Sequence, residues 1–170
     1  MFVADTNVLF HAVDEDSPFH LPCAEAVGRW RAQPGAWFVT WSVLYELLRL
    51  VTHPRKLRHP VPLHEAWRLV DALLASPGLR ILVATPRHAE VARSVIEETP
   101  GLTGNLAHDL HIAVLMREHG VRRIYTRDAD FFRFPFLEPV DPVRPLAPGG
   151  TAEPVARYRG AGRGRARRRA

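Results

Sequence analysis

Short apolar runs of strand length, each followed by one or two stretches of helical period, constrain this chain more than any other feature. Strands are expected at 2–4, 36–40 ("AWFVT"), 79–83 ("LRILV") and 122–126 ("RRIYT"). Helices are expected at 7–13, 20–33, 42–52, 63–75, 87–98 and 105–119. Strands of this kind separated by helices specify a parallel sheet covered by helices. The breakers agree with these limits: Pro34-Gly35 stops the second helix, Pro54 and Pro60 interrupt the chain after the third, and Gly120 sits where a helix C-terminus wants a left-handed residue. Beyond Asp130, "FFRFPFLEPVDPVRPLAPGG" holds too much proline for a central strand and suits a sheet edge or a cover.

The 170 residues suffice for one domain with a self-sufficient core. The single cysteine, Cys23, excludes an internal disulfide and suits a reducing cytoplasm. No apolar run approaches the roughly 18 residues of a membrane span, and the opening run is too short for a secretion signal. The net charge of +5 is unevenly placed: residues 151–170 carry seven Arg and one Glu, which leaves residues 1–150 at −1. The expected division is a folded domain over 1–147 and an Arg/Gly-rich tail over 148–170, too poor in apolar residues to offset the entropy of folding. The tail, with Arg163, Arg165 and Arg167, suits sequence-blind contact with phosphates or plain solvation.

Four acids occupy positions where a carboxylate is costly or chemically useful. Asp5 ends the first strand, and the carboxyl ends of strands are where open α/β sheets bind ligands; it is equally placed to cap the next helix. Glu46 lies in "SVLYELLRLV" among Val43, Leu47 and Leu50, so it is either partly enclosed or a surface partner of Arg49. Asp109 begins an otherwise apolar helix in "TGNLAHDLHIAVLMREHG", where Asn105 can cap and the helix dipole eases its charge. Asp128 and Asp130 follow the last strand and also suit a turn. Converging on one crevice, such acids would repel and hold their protons unless a divalent cation neutralised them. Oxygen ligands without thiolate point to Mg²⁺ or Mn²⁺. A zinc site using His108 and His111 is disfavoured, because no HExxH or second Cys/His cluster accompanies them.

The segments "VADTNVL", "WSVLYELLRL", "HDLHIAVLMREHG" and "IYTRDADF", in this order and spacing, resemble the PIN-domain ribonucleases, and among them the toxins of bacterial VapBC-type toxin–antitoxin pairs. The resemblance spans about residues 1–140 and implies a three-layer α/β/α sandwich around a mostly parallel sheet. It also implies a catalytic, metal-binding quartet of Asp5, Glu46, Asp109 and Asp128. Thr6, Asn7 and Thr126 match the family's supporting polar residues, and Asp130 matches an additional acid. The implied activity is Mg²⁺- or Mn²⁺-dependent cleavage of RNA, such as tRNA, with a cognate antitoxin protein and a homodimer as assemblies. Helix surfaces around Leu44–Val51 or Trp67–Leu74 are expected to serve those contacts. RNA contact is further expected from Arg55, Lys56 and Arg58 in "THPRKLRHP". Three rivals remain in view. A haloacid-dehalogenase-type phosphatase needs an acid where Asn7 stands; a phospho-acceptor receiver needs a lysine near 122–128, where Arg123 and Arg127 stand; a non-catalytic RNA-binding module would not need four acids.

Overall fold

A computed structural model describes residues 1–144. The Arg-rich tail, with Arg163, Arg165 and Arg167, and the expected boundary at 147 lie outside the described residues. Five strands form one all-parallel sheet: β1 (Val3–Ala4), β2 (Trp37–Thr40), β3 (Leu79–Leu82), β4 (Arg123–Tyr125) and β5 (Glu138–Val140), in the spatial order β3-β2-β1-β4-β5. Six helices join them: α1 (Thr6–Val13), α2 (His20–Ala32), α3 (Trp41–Val51), α4 (Leu63–Leu74), α5 (His88–Glu98) and α6 (Ala107–Glu118). Right-handed crossovers place α1–α4 over one face and α5–α6 over the other. Helix packing divides accordingly, with α1 against α2 and α3, α3 against α4, and α5 against α6. The result is the parallel sheet covered by helices that the alternating pattern specifies, arranged as the three-layer sandwich that the family resemblance implies.

Val3 and Ala4 are both fully buried although successive strand residues point to opposite faces, so the sheet is covered on both sides. Phe2, Trp30, Trp37 and Tyr125 pack at ring separations of 4.8–6.3 Å and fasten α2 to β1, β2 and β4. The proline-rich segment supplies β5, at the sheet edge where Pro139 is tolerated. After α6, Gly120 adopts φ +65° while its N–H donates to the Arg117 carbonyl and that of Val121 to the Met116 carbonyl. Those two bonds make a Schellman stop and turn the chain directly into β4.

Two helix starts differ from expectation. Thr40, not Ser42, caps α3, its hydroxyl accepting from the Val43 N–H at 3.2 Å, because α3 begins immediately at the end of β2. A 3₁₀ turn over Gly104–Leu106 precedes α6, so Leu106 rather than Asn105 holds its N-cap position. The expected contact surface at 44–51 is narrowed: Leu44, Leu47, Leu48 and Val51 are buried in the core, which leaves Tyr45 at 61% exposure as its outward apolar side chain, beside Trp67 and Leu74 of the second surface at 37% and 38%. No helix among the described residues is long and apolar enough to cross a membrane.

Gly78 is required for a steric reason. A Cβ there would lie 2.3 Å from the Gly35 carbonyl oxygen and 3.0 Å from that of Gln33, backbone atoms that cannot swing aside. Gly78→Ala is therefore expected to destabilise the domain by about 1–3 kcal/mol, read as a lower urea midpoint.

Candidate metal centre

The strand order reverses between β1 and β4, since β1 continues to β2 on one side while β4 is reached from the other face. The crevice at such a switch point opens beyond the carboxyl ends of the two strands, and the sequence puts Asp5 at one end and Thr126-Arg127-Asp128 at the other. Asp5 serves both roles its position allows. It caps α1, with Oδ1 accepting from the Thr6 N–H at 2.6 Å, while Oδ2 accepts from the Thr126 hydroxyl at 2.7 Å and from the Asn7 amide.

Thr126 and Asn7 tie the two strand ends together. The Thr126 hydroxyl accepts from the Asp128 N–H at 2.9 Å and the Asn7 amide at 3.1 Å, and Asn7 Oδ1 accepts from the Arg127 N–H at 3.0 Å. Thr126→Val removes all three hydroxyl contacts within a buried site. It is expected to cost about 1–3 kcal/mol in urea unfolding and to push the Asp5 pKa higher still, because the Thr126 bond is what most strongly opposes the effect of burial there.

Asp109, Asp128 and Asp130 each offer a carboxylate oxygen within 4.8 Å of the others. Asp109 reaches the group from the first turn of α6, while Asp128 and Asp130 come from the turn after β4. Asp128 Oδ1 accepts from the Asp130 N–H at 2.9 Å, so the turn role and the cluster coexist. Asp5 and Glu46 stand beside this trio rather than within it. Glu46 has a side chain 39% exposed, its Oε1 accepting from Arg49 at 3.1 Å and its Oε2 from the Thr6 hydroxyl at 3.4 Å. It is thus both the surface partner of Arg49 and a neighbour of the crevice.

The electrostatics register this crowding. Burial pushes Asp5 up to about 6, opposed by its bonds to Thr126 and Thr6 and reinforced by Asp128 and Glu46. Burial likewise lifts Asp109 to about 7, aided by the charges of Asp5, Asp128, Asp130 and Glu46. Arg133 Nε donates to Asp130 at 3.0 Å and partly offsets one of these charges. A compact trio of hard oxygen donors, with one member, Asp109, and the neighbouring Asp5 raised by burial and mutual repulsion, fits a divalent cation of the Mg²⁺ or Mn²⁺ type.

Of the histidines beside the third acid, His111 is engaged elsewhere. His111 Nδ1 lies 3.4 Å from the Ser42 hydroxyl, and its ring packs on His88, whose Nδ1 is bonded at 2.6 Å to the buried carboxylate of Glu118. Of the basic loop, Lys56 lines a groove next to the acids, while Arg58 pairs with Asp16 at 3.5 Å. Sequence reading gave Asp130 a secondary place and overlooked Arg127 and Phe132, which line the same groove. The signal for Arg127 was its position between Thr126 and Asp128, where its neighbours' roles fix its backbone.

Comparison with known proteins agrees with this geometry. The PIN domain model matches residues 2–137. Ribonuclease VapC48 of Mycobacterium tuberculosis is 34% identical over 138 residues, covering 81% of this chain and 94% of that protein. Ribonuclease VapC33 of the same species is 30% identical over 147 residues, 85% of this chain and 99% of that protein. In fold, the chain resembles the crystal structure of Mycobacterium tuberculosis VapC20, described as a Sarcin-Ricin loop cleaving toxin, with TM-score 0.57, 18% identity, and coverage of 78% and 93% of the two chains. A five-stranded parallel sheet with carboxylates gathered at its switch point, and a family match over nearly all the described residues, place this chain in the PIN domain family, among the VapC-type proteins.

Proposed function

We propose that this protein is a metal-dependent endoribonuclease, the toxin of a VapBC-type toxin–antitoxin pair, acting on RNA in the cytoplasm. The observation that carries the reading is the Asp109–Asp128–Asp130 cluster with Asp5 and Glu46 beside it. Asp5, Asp109 and Asp128 are the residues that would hold Mg²⁺ or Mn²⁺, with Asp130 and Glu46 as further ligands. A cation held there supplies water of lowered pKa for attack on phosphorus and stabilises charge on the phosphate oxygens. The chain's own residues do the rest. Thr126 and Asn7 fix the Asp5 carboxylate in one orientation, and the Asp130 N–H fixes that of Asp128. Glu46, held by Thr6 and Arg49, orients the attacking water or accepts its proton.

Structured RNA such as tRNA is the proposed substrate, gathered through phosphate contacts by Arg55, Lys56, Arg58 and the tail arginines. A cognate antitoxin protein is the proposed inhibitor. A homodimer using the outward face of α4, with Trp67 and Leu74, is the proposed assembly.

The test incubates the protein and its Asp5→Asn variant with total RNA and tRNA in Mg²⁺, Mn²⁺ or EDTA. Cleavage by the parent in either metal, absent in EDTA and in the variant, is the expected outcome. RNA that is bound but never cut by the parent contradicts the nuclease reading and favours a non-catalytic RNA-binding module.

A further inference from the structure

We propose that the groove running from the acids past the turn between α1 and α2 is a track for single-stranded RNA, in which Arg127 and Lys56 take backbone phosphates and Phe132 stacks a base. This rests on the RNA-cleaving reading and adds the path of the strand to it. Asn7, Asp128 and Asp130 are among its lining residues, so a chain lying in the groove reaches two of the three clustered acids.

Arg127 is set up as an anion anchor. Its backbone is fixed by Asn7, its guanidinium lies 3.4 Å from the centre of the Phe19 ring, and its Nη2 pairs with the buried carboxylate of Asp141 at 3.8 Å. Its side chain is 19% exposed, yet Nη1 is buried without an acceptor among the described residues. A buried donor left without a partner is costly, and a guanidinium already flattened on an aromatic ring has little freedom left to lose. A phosphate oxygen arriving from the groove meets the exposed fifth of the side chain first, and a small shift of the guanidinium toward it would give Nη1 the acceptor it lacks. Lys56, from the segment between α3 and α4, faces the same groove and has no carboxylate partner among the described residues.

Phe132 is 43% exposed on the wall beside Asp130. Cationic side chains following a backbone, with an exposed aromatic between them, are the composition of single-strand tracks, because unpaired bases offer a π-face whatever their sequence. Of the groove's acids, Asp16 is engaged by Arg58, Asp141 by Arg127 and Asp130 by Arg133, Asp128 belongs to the cluster that a cation would neutralise, and only Asp14 has neither an ion pair nor a place in that cluster among the described residues.

The experiment uses the full chain in an Asp109→Asn background, where cutting is expected to fall by at least about 10²–10³-fold and the groove lining, which does not include Asp109, is left intact. A fluorescein-labelled 12-nucleotide single-stranded RNA is titrated by anisotropy over a range of KCl, then photocrosslinked and the attached peptides mapped. A crosslink on the peptide containing Phe132 is expected. Phe132→Ala should weaken binding roughly tenfold, and Lys56→Ala should lower the salt slope by about one; both side chains are solvent-facing, so neither variant depends on Arg127 surviving substitution. Crosslinks confined to the tail or another face, with affinity unchanged in both variants, overturn the track. If the parent then still cleaves RNA with metal, the nuclease reading stands without it; a parent that never cleaves removes that reading separately. If Phe132→Ala leaves RNA binding unchanged but abolishes inhibition by the cognate antitoxin, the groove is a protein-docking surface and the proposal fails.

Discussion

Asp109→Asn is expected to reduce metal-dependent RNA cleavage by at least about 10²–10³-fold, the scale of losing one preorganised charge-stabilising group, and yet to make the metal-free protein more stable at pH 8. The two effects share one cause. Asp109 ordinarily titrates near 3.8 but is held up to about 7 by burial and by the charges of Asp5, Asp128, Asp130 and Glu46. The folded protein therefore binds this proton more tightly than the unfolded chain. Stability from this group is complete below about pH 4 and is lost as pH rises to about 7, where folding requires the charged form in a repulsive site. Asn has the shape without the charge, so the variant should keep a flatter stability profile across that window. Asp5, raised to about 6 in the same way, should add to the parent's decline between about pH 4 and 6. Urea unfolding in EDTA from pH 4 to pH 8, run beside a cleavage assay, checks both halves. A variant that still cleaves, or is less stable than the parent at pH 8, contradicts the assignment.

The second large effect is stabilisation by the cation. At about one hundred times its dissociation constant a ligand specific for the folded state adds about 2.7 kcal/mol, which for a domain of this size raises Tm by about 10 °C. The effect should grow with pH from 5 to 8, because metal and protons compete for Asp5 and Asp109. It should shrink sharply in Asp128→Asn. Differential scanning calorimetry with MgCl₂, MnCl₂ or EDTA measures it, and equal shifts in parent and Asp128→Asn would place the metal elsewhere.

The fold was legible because each strand is flanked by residues with one structural use. Pro34-Gly35 ends α2 before β2, Pro77-Gly78 brings in β3, and Gly120 turns α6 into β4 through its positive φ. The helix starts were less legible. Thr40 outcompetes Ser42 as a cap because α3 follows β2 with no intervening loop, a contact decided by the strand's end rather than by the helix sequence. The apolar run at 44–51 reads as core or as interface, and only packing against α1 and α4 separates buried Leu44, Leu47, Leu48 and Val51 from outward-facing Tyr45.

At the site, the sequence signal lay in acids at strand ends and early in helices; Asp109 and Asp128 come within 4.8 Å of each other and of Asp130, and the charge of Asp5 is near enough to raise Asp109. The graded distances were not legible. Asp130 joins the tight group while Asp5 is drawn aside by Thr6, Asn7 and Thr126, because its oxygens are committed to capping α1 and linking the strand ends. The groove was invisible for a related reason: Phe19, Lys56, Arg127 and Phe132 come from four separate segments that only the switch-point topology brings together.

Anomalous diffraction from Mn²⁺-soaked crystals tests the central claim most directly. The account predicts a manganese peak within coordination distance of Asp109 and Asp128, absent in crystals of Asp128→Asn. A peak at His88 and His111 instead, or none at a Mn²⁺ concentration that supports RNA cleavage, would contradict it.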